Sequence, residues 1–168
     1  NVWLERTDKL HVPQWGTFIT TPKVSKDSAL VKIEVKLANK YSGAENAILR
    51  TNFFFEGQEV NSVSEEFTID ASGSKKITQT ATINNPELWS VEQPQLYSAV
   101  TQIIVDGEVI DQYETPFGIR SFRFDLENGF ILNGEQVKIK GVCLHHDLGH
   151  LGVDINSRDI EVQLQMMQ

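Results

Sequence analysis

Along residues 29–38 apolar and charged side chains alternate: Val31, Ile33, Val35 and Leu37 share one parity, Lys32, Glu34 and Lys36 the other. A period of two sends these sets to opposite faces of an extended strand, one toward a core and one toward water. Further strands are expected at 17–24, 46–55 (with the run Phe53-Phe54-Phe55), 60–69, 75–83, 96–105 and 108–115. Turn formers punctuate them at Ser42-Gly43, Glu56-Gly57, Ser72-Gly73, Asn84-Asn85-Pro86 and Asp106-Gly107. Asp-Gly between two apolar runs is a two-residue hairpin signal, because both residues tolerate the positive φ such turns require. About seven short strands at this spacing predict an immunoglobulin-like β-sandwich over 8–118, with no amphipathic helix competing.

The pattern changes after Gly118. Phe130-Ile131-Leu132, the type I′ turn signal Asn133-Gly134, and Val137-Lys138-Ile139-Lys140-Gly141-Val142 predict a hairpin and then a strand entering a buried environment. Residues 143–156 read as a polar loop with three His and two Gly. Ser157 suits an N-cap, and Arg158–Gln168 continues as a helix with Ile160, Leu164 and Met167 on one face. Strand, polar loop and helix make the first unit of a β/α fold, which closes nothing alone. The two parts join near 117–122.

At 168 residues the chain has room for one domain, or one domain and part of another. Its charge excludes a nucleic-acid partner: residues 1–120 carry 11 basic against 16 acidic side chains, and 121–168 carry 4 against 7. The single cysteine, Cys143, excludes an internal disulfide framework and a four-thiolate zinc site. No apolar run approaches the roughly 20 residues that span a bilayer, so no membrane partner is expected. The opening Asn1-Val2-Trp3-Leu4-Glu5 has neither an initiator Met nor a leader pattern, and the sequence stops inside a helical pattern; a piece of a longer protein is expected.

Few segments carry chemistry. In Cys143-Leu144-His145-His146-Asp147-Leu148-Gly149-His150, three imidazoles and a carboxylate could ligate a metal, but the spacing fits no helical zinc motif, and polar loop groups with ordinary hydrogen bonds are the simpler reading. Cys143 and His145 share a face if extended, yet nothing supplies an oxyanion hole or an orienting third group. No Gly-x-Ser-x-Gly elbow and no phosphate-cradling glycine loop occurs. Glu65-Glu66, adjacent on a strand, point to opposite faces. Trp89 and Tyr97, set around Pro86 and Pro94, could stack on a sugar ring; plugging the end of a sandwich is the commoner use of such a pair.

Taken in order, Pro86-Glu87-Leu88-Trp89-Ser90 with Pro94-Gln95-Leu96-Tyr97, Phe117-Gly118-Ile119-Arg120, Gly129-Phe130-Ile131-Leu132-Asn133-Gly134 and Lys140-Gly141-Val142-Cys143-Leu144-His145-His146-Asp147 resemble glycoside hydrolase family 2, the bacterial β-galactosidases, β-glucuronidases and β-mannosidases. The resemblance implies a mainly β chain: residues 1–7 ending a preceding jelly-roll domain, 8–118 an immunoglobulin-like sandwich, and 119–168 the truncated opening of a (β/α)₈ TIM barrel. It implies a parent that hydrolyses a β-glycoside with retention, a β-galactosidase from overall likeness; for this chain no cofactor or metal is expected. Both catalytic glutamates of that family lie on later barrel strands, and no glutamate here matches either motif, so this chain is expected to be inactive. His145 and Asp147 correspond to positions that contact the sugar in some members; a carboxylate and an imidazole together offer acceptors and a donor to vicinal hydroxyls. Cys143 stands where the family commonly has Asn, and His146 where it has Glu. The compartment stays open between the bacterial exterior or periplasm and the cytoplasm.

Two other designs compete. A free-standing carbohydrate-binding or adhesive sandwich would present an exposed aromatic platform, for which Trp15, Trp89 and Phe53–Phe55 are candidates; a spacer would need none. Finally, strand 137–143 would carry unpaired edges, which invite pairing with another copy. A homodimer, or a tail folded onto the sandwich, is therefore expected.

Overall fold

The computed structural model describes residues 4–141, 143 and 157–166. Contacts group residues Asn1–Val137 into one compact unit and Lys138–Gln168 into a second.

In the first unit two antiparallel sheets face each other. One is built on β3 (Ser28–Asn39), which pairs with β6 (Ser74–Asn84) on one side and with β1 (Leu10–His11) and β2 (Thr17–Val24) on the other. The second runs β5 (Gln58–Ile69), β4 (Glu45–Phe55), β7 (Tyr97–Val105), β8 (Glu108–Phe117). The chain changes sheets after β3, β5 and β6, the connectivity of an immunoglobulin-like sandwich. All seven expected strands form. Val31, Ile33 and Val35 are fully buried and Leu37 nearly so, beside Leu49, Phe53 and Ile103 from the facing sheet. Burying each such side chain stabilises the fold by roughly 1.5–3 kcal/mol relative to leaving it in water. Lys32, Glu34 and Lys76 meet on the outer face, where Glu34 bridges both lysines at 2.8 and 3.2 Å; solvated pairs of this kind contribute little.

Turn chemistry sets the registers. Glu56-Gly57 (φ 48° and 79°) closes β4–β5, and Asp106-Gly107 (51° and 84°) closes β7–β8. Both have positive φ at both central residues, the I′ geometry that matches strand twist. In β2, Thr20 pairs with Lys32 but Lys23 with Leu30, so Thr21 and Pro22 together oppose Val31. A proline without an N–H is tolerated in such a bulge on an edge strand.

A three-stranded meander comes next: β9 (Phe122–Asp125), β10 (Gly129–Leu132) and β11 (Glu135–Gln136). Asn133-Gly134 makes its second turn with φ of 50° and 88°. The strand expected at 137–143 is a correction, since among the described residues this segment forms no strand. The Val137 N–H donates to Phe130 O at 2.9 Å, and among the described residues no ladder continues from it. The edge from which self-pairing was expected is therefore not formed among the described residues. In the second unit, α1 (Ser157–Gln165) carries Asp159 in its first turn, where the helix dipole favours negative charge, and an Arg158–Glu161 pair at 2.7 Å. It buries none of its residues. Met167 lies outside the described residues.

Candidate functional site

His145 and Asp147, the residues assigned to sugar contact, lie outside the described residues, as do His146 and His150. Cys143 is exposed. What the structure does bring together is the first three of the four motifs that carry the resemblance, and they meet at one end of the sandwich.

Trp89 is the centre of that junction. Its backbone N–H donates to Ile119 O (2.8 Å), its carbonyl accepts from Asn133 Nδ2 (2.9 Å), and the Arg120 guanidinium lies 4.9 Å from its ring centroid. Gly118 passes so close that a Cβ there would lie 3.0–3.1 Å from Trp89 side-chain atoms. Asn133 also takes the Ser121 N–H on its Oδ1 (2.9 Å) and returns its own N–H to Ser121 O (2.8 Å). The bulge in β2 turns the Thr21 hydroxyl onto Arg120 O at 2.9 Å. One asparagine thus ties three segments that are far apart in sequence: 86–90, 118–121 and the meander turn.

Beneath the junction, Tyr97 is buried, and its hydroxyl accepts the Glu87 N–H at 2.8 Å. Burial raises its pKa. Its ring packs against Phe55 (4.7 Å between centroids) and Phe117 (5.5 Å), and Phe117 meets Phe53 edge-on at 6.0 Å. Of the platform candidates, Phe53 is fully buried and Trp89 is half-buried under Arg120. Trp15 alone is exposed, at the turn between β1 and β2.

The adjacent carboxylates Glu65 and Glu66 form no catalytic pair. Retaining glycosidases need two carboxyl groups roughly 5 Å apart across a sugar site. Glu65 pairs in register with Leu49 and Glu66 with Ile48, so the two point to opposite faces of an edge strand, both exposed. Asp111 is a half-buried acidic group whose pKa is raised by burial. Its Oδ2 accepts the Val12 N–H at 2.8 Å, and it lies close enough to His11 for that charge to oppose the shift. His11 is itself buried, and its Nδ1 has no hydrogen-bond partner. The Val12–Asp111 hydrogen bond pins the chain just after β1 against β8. Among the described residues no group of three or more His, Cys, Asp or Glu could hold a metal ion.

The fold and the junction define an immunoglobulin-like β-sandwich with a short meander tied to one end. The family model for glycosyl hydrolases family 2 matches residues 11–120, and the chain belongs to that family. Over its whole length it is 40% identical to Beta-galactosidase BoGH2A of Bacteroides ovatus, of which it covers 20%. Over 84% of its length it is 35% identical to a Beta-glucuronidase of Formosa agariphila, covering 15% of that protein. Among solved structures, a glycosyl hydrolase family 2 member from Bacteroides cellulosilyticus superposes over 96% of the chain with a TM-score of 0.89 at 35% identity, using 21% of its own length. The chain therefore spans about a fifth of the relatives it matches.

Sequence reasoning found Trp89, Gly118, Arg120 and Asn133 as motif letters but missed what joins them. The signal was available: Asn133 occupies the left-handed turn position, which leaves its amide free to bond in two directions.

Proposed function

We propose that this chain is a non-catalytic segment of a longer family 2 glycoside hydrolase that cleaves a β-galactoside with retention. In this reading the sandwich supports and positions a (β/α)₈ barrel whose opening lies in 119–168, while residues 1–7 end a preceding jelly-roll domain. The observation that carries it is the 40% identity to Beta-galactosidase BoGH2A along the entire chain.

The supporting chemistry is negative in one part of the chain and positive in another. Glu65 and Glu66 are not disposed for double displacement, and the resemblance to the family implies that the acid/base and the nucleophile belong to barrel strands elsewhere. As the resemblance to the family implies, His145 and Asp147, which follow Lys140-Gly141-Val142-Cys143, supply donor and acceptor to sugar hydroxyls. The Trp89–Asn133 hydrogen bond ties the meander turn to the sandwich, which suits a supporting role for this segment. A β-glucuronide is the second reading for the sugar, favoured by the Formosa agariphila relative.

The test is turnover of aryl β-galactoside, β-glucuronide and β-mannoside by the longer protein, with His145→Ala and Asp147→Asn beside wild type. Turnover of the galactoside, with at least a tenfold loss of kcat/KM in either variant, is expected. Preference for the glucuronide would replace the sugar. Inactivity on all three would overturn the reading.

A further inference from the structure

The outer face of the sheet built on β3 carries a charge opposite to that of the whole chain. Residues directly opposite in register share a face. Phe18 therefore stands beside Glu34 and Thr78, Thr20 beside Lys32 and Thr80, Lys36 beside Lys76, and Lys23 beside Leu30. Across β2, β3 and β6 the outward charges are four lysines (23, 32, 36 and 76) against Glu34 alone, a net of +3 on a chain of −8. Charge averaged over long stretches of sequence hides this face, because its lysines come from three strands.

Parts of the face work against stability. Lys36 and Lys76 are directly opposed on an antiparallel ladder, where like charges repel. Glu34 bridges Lys32 and Lys76, but among the described residues no carboxylate pairs with Lys23 or Lys36. Phe18 stands between these charges 64% exposed, and Thr78 and Thr80 are exposed beside it. Local choices that oppose the fold mark places kept for function.

We infer that this face binds an anionic polysaccharide. Its carboxylate or sulfate groups meet the lysines, its hydroxyls meet the threonines, and the apolar face of one sugar stacks on Phe18. The positive charge is spread along the strands instead of gathered round a point: Lys32 and Lys36 are about 13 Å apart along β3, and Lys23 extends the run on the neighbouring strand. Such a row suits a polymer with repeating anionic groups better than one small anion. A second copy fits poorly. The outer face of the other sheet offers Glu59, Glu66 and Glu114, but Glu114 already accepts from Ser98 Oγ at 2.6 Å, and a contact between unlike faces does not close. The inference is independent of which glycoside the longer protein cleaves.

The experiment titrates polygalacturonate and dextran sulfate into the 168-residue chain and into the longer protein, with neutral dextran and a single-stranded DNA homopolymer beside them. Binding of a charged glycan, weakening as salt rises, is expected; tighter binding of the first assigns carboxylates, of the second sulfates. Lys36→Gln/Lys76→Gln should weaken it roughly tenfold and Phe18→Ala roughly threefold. Lys40→Gln/Arg50→Gln removes the same charge from exposed positions off this face and should change little. A Tm for Lys36→Gln at or above wild type, from the relieved repulsion, separates lost binding from a folding defect. Equal loss in the two double variants, an unmoved Phe18→Ala, or DNA bound as tightly as the glycans would reduce the face to plain ion exchange and overturn the inference. So would the absence of binding, binding by the chain but not by the longer protein, or self-association of the wild type that Lys36→Gln/Lys76→Gln abolishes.

Discussion

The Thr51 hydroxyl donates to Gln79 Oε1 over 2.8 Å, a hydrogen bond that crosses the sandwich from β4 to β6. Both side chains are buried, Gln79 Nε2 continues to Leu49 O at 3.0 Å, and the Thr101 hydroxyl lies 3.3 Å from that of Thr51. A polar group satisfied this fully inside a core ties the sheets at one register, and removing half of it leaves the remainder unpaired. Gln79→Ala is expected to cost about 2–3 kcal/mol in urea unfolding, the cavity and the stranded hydroxyl acting together. Thr51→Val with Gln79→Leu should cost less than the two single changes added, which a double-mutant cycle measures directly.

Asn39 has the same kind of role at a loop junction. It is 2% exposed, and its Nδ2 donates to Gly43 O and Asp70 O at 3.0 Å each, while its Oδ1 accepts the Tyr41 N–H at 2.8 Å. Asn39→Ala should lose roughly 2 kcal/mol, and Asn39→Asp more, because a carboxylate supplies no donor and faces two carbonyls. Chemical denaturation of the three proteins ranks them.

Three glycines should respond to alanine in a fixed order. At Gly16 a Cβ would come 2.5 Å from Pro13 O and 2.7 Å from Val12 Cγ1; at Gly118 it would press on Trp89 at 3.0 Å; at Gly43 it would meet nothing within 4 Å. Gly16→Ala is expected to be the most damaging, Gly118→Ala to cost about 1–2 kcal/mol and alter the Trp89 environment, and Gly43→Ala to be nearly silent. Urea melts followed by tryptophan fluorescence read both effects.

Two aspartates carry opposite pH signatures. Burial raises Asp111, against the opposing pull of the Val12 N–H and the His11 charge. The folded state then holds that proton longer than the unfolded chain, so the stability tied to it is present at and below the unfolded value and lost as pH rises through the folded one. Asp125 is lowered by the Asn128 backbone and side chain and by the Glu127 N–H; its contribution is present above the unfolded value and lost as pH falls through the depressed one. Asp111→Asn should therefore match wild type near pH 4 and exceed its Tm increasingly toward neutrality. Asp125→Asn should fall behind as pH rises from the same point. Thermal melts across pH 3–8 test both.

The sandwich was legible because its strands alternate and its turns are chemically explicit. Val31 to Leu37, Glu56-Gly57, Asp106-Gly107 and Asn133-Gly134 each carry their reason locally. β1 was missed because Leu10–His11 is too short to show a period, and it is held by Asp111 from ninety-nine residues away. β9 was missed although Phe122-Arg123-Phe124-Asp125 alternates, since its apolar face meets solvent instead of the core. The strand expected at 137–143 was read from Val137-Lys138-Ile139-Lys140-Gly141-Val142 and from the family resemblance, and a local pattern cannot supply the neighbours that a ladder needs. Of the candidate site, the motif residues were visible one by one; that Asn133 joins Trp89 to Ser121 depends on folding that no local pattern encodes.

The most direct test of the central claim is turnover of an aryl β-galactoside by the purified 168-residue chain, at high protein concentration over many hours. The expected rate equals the buffer blank, because the acid/base and the nucleophile are assigned to parts of the longer protein outside this chain. Saturable hydrolysis that copurifies with the chain, and that is lost on substituting one of its own carboxylates, would contradict it.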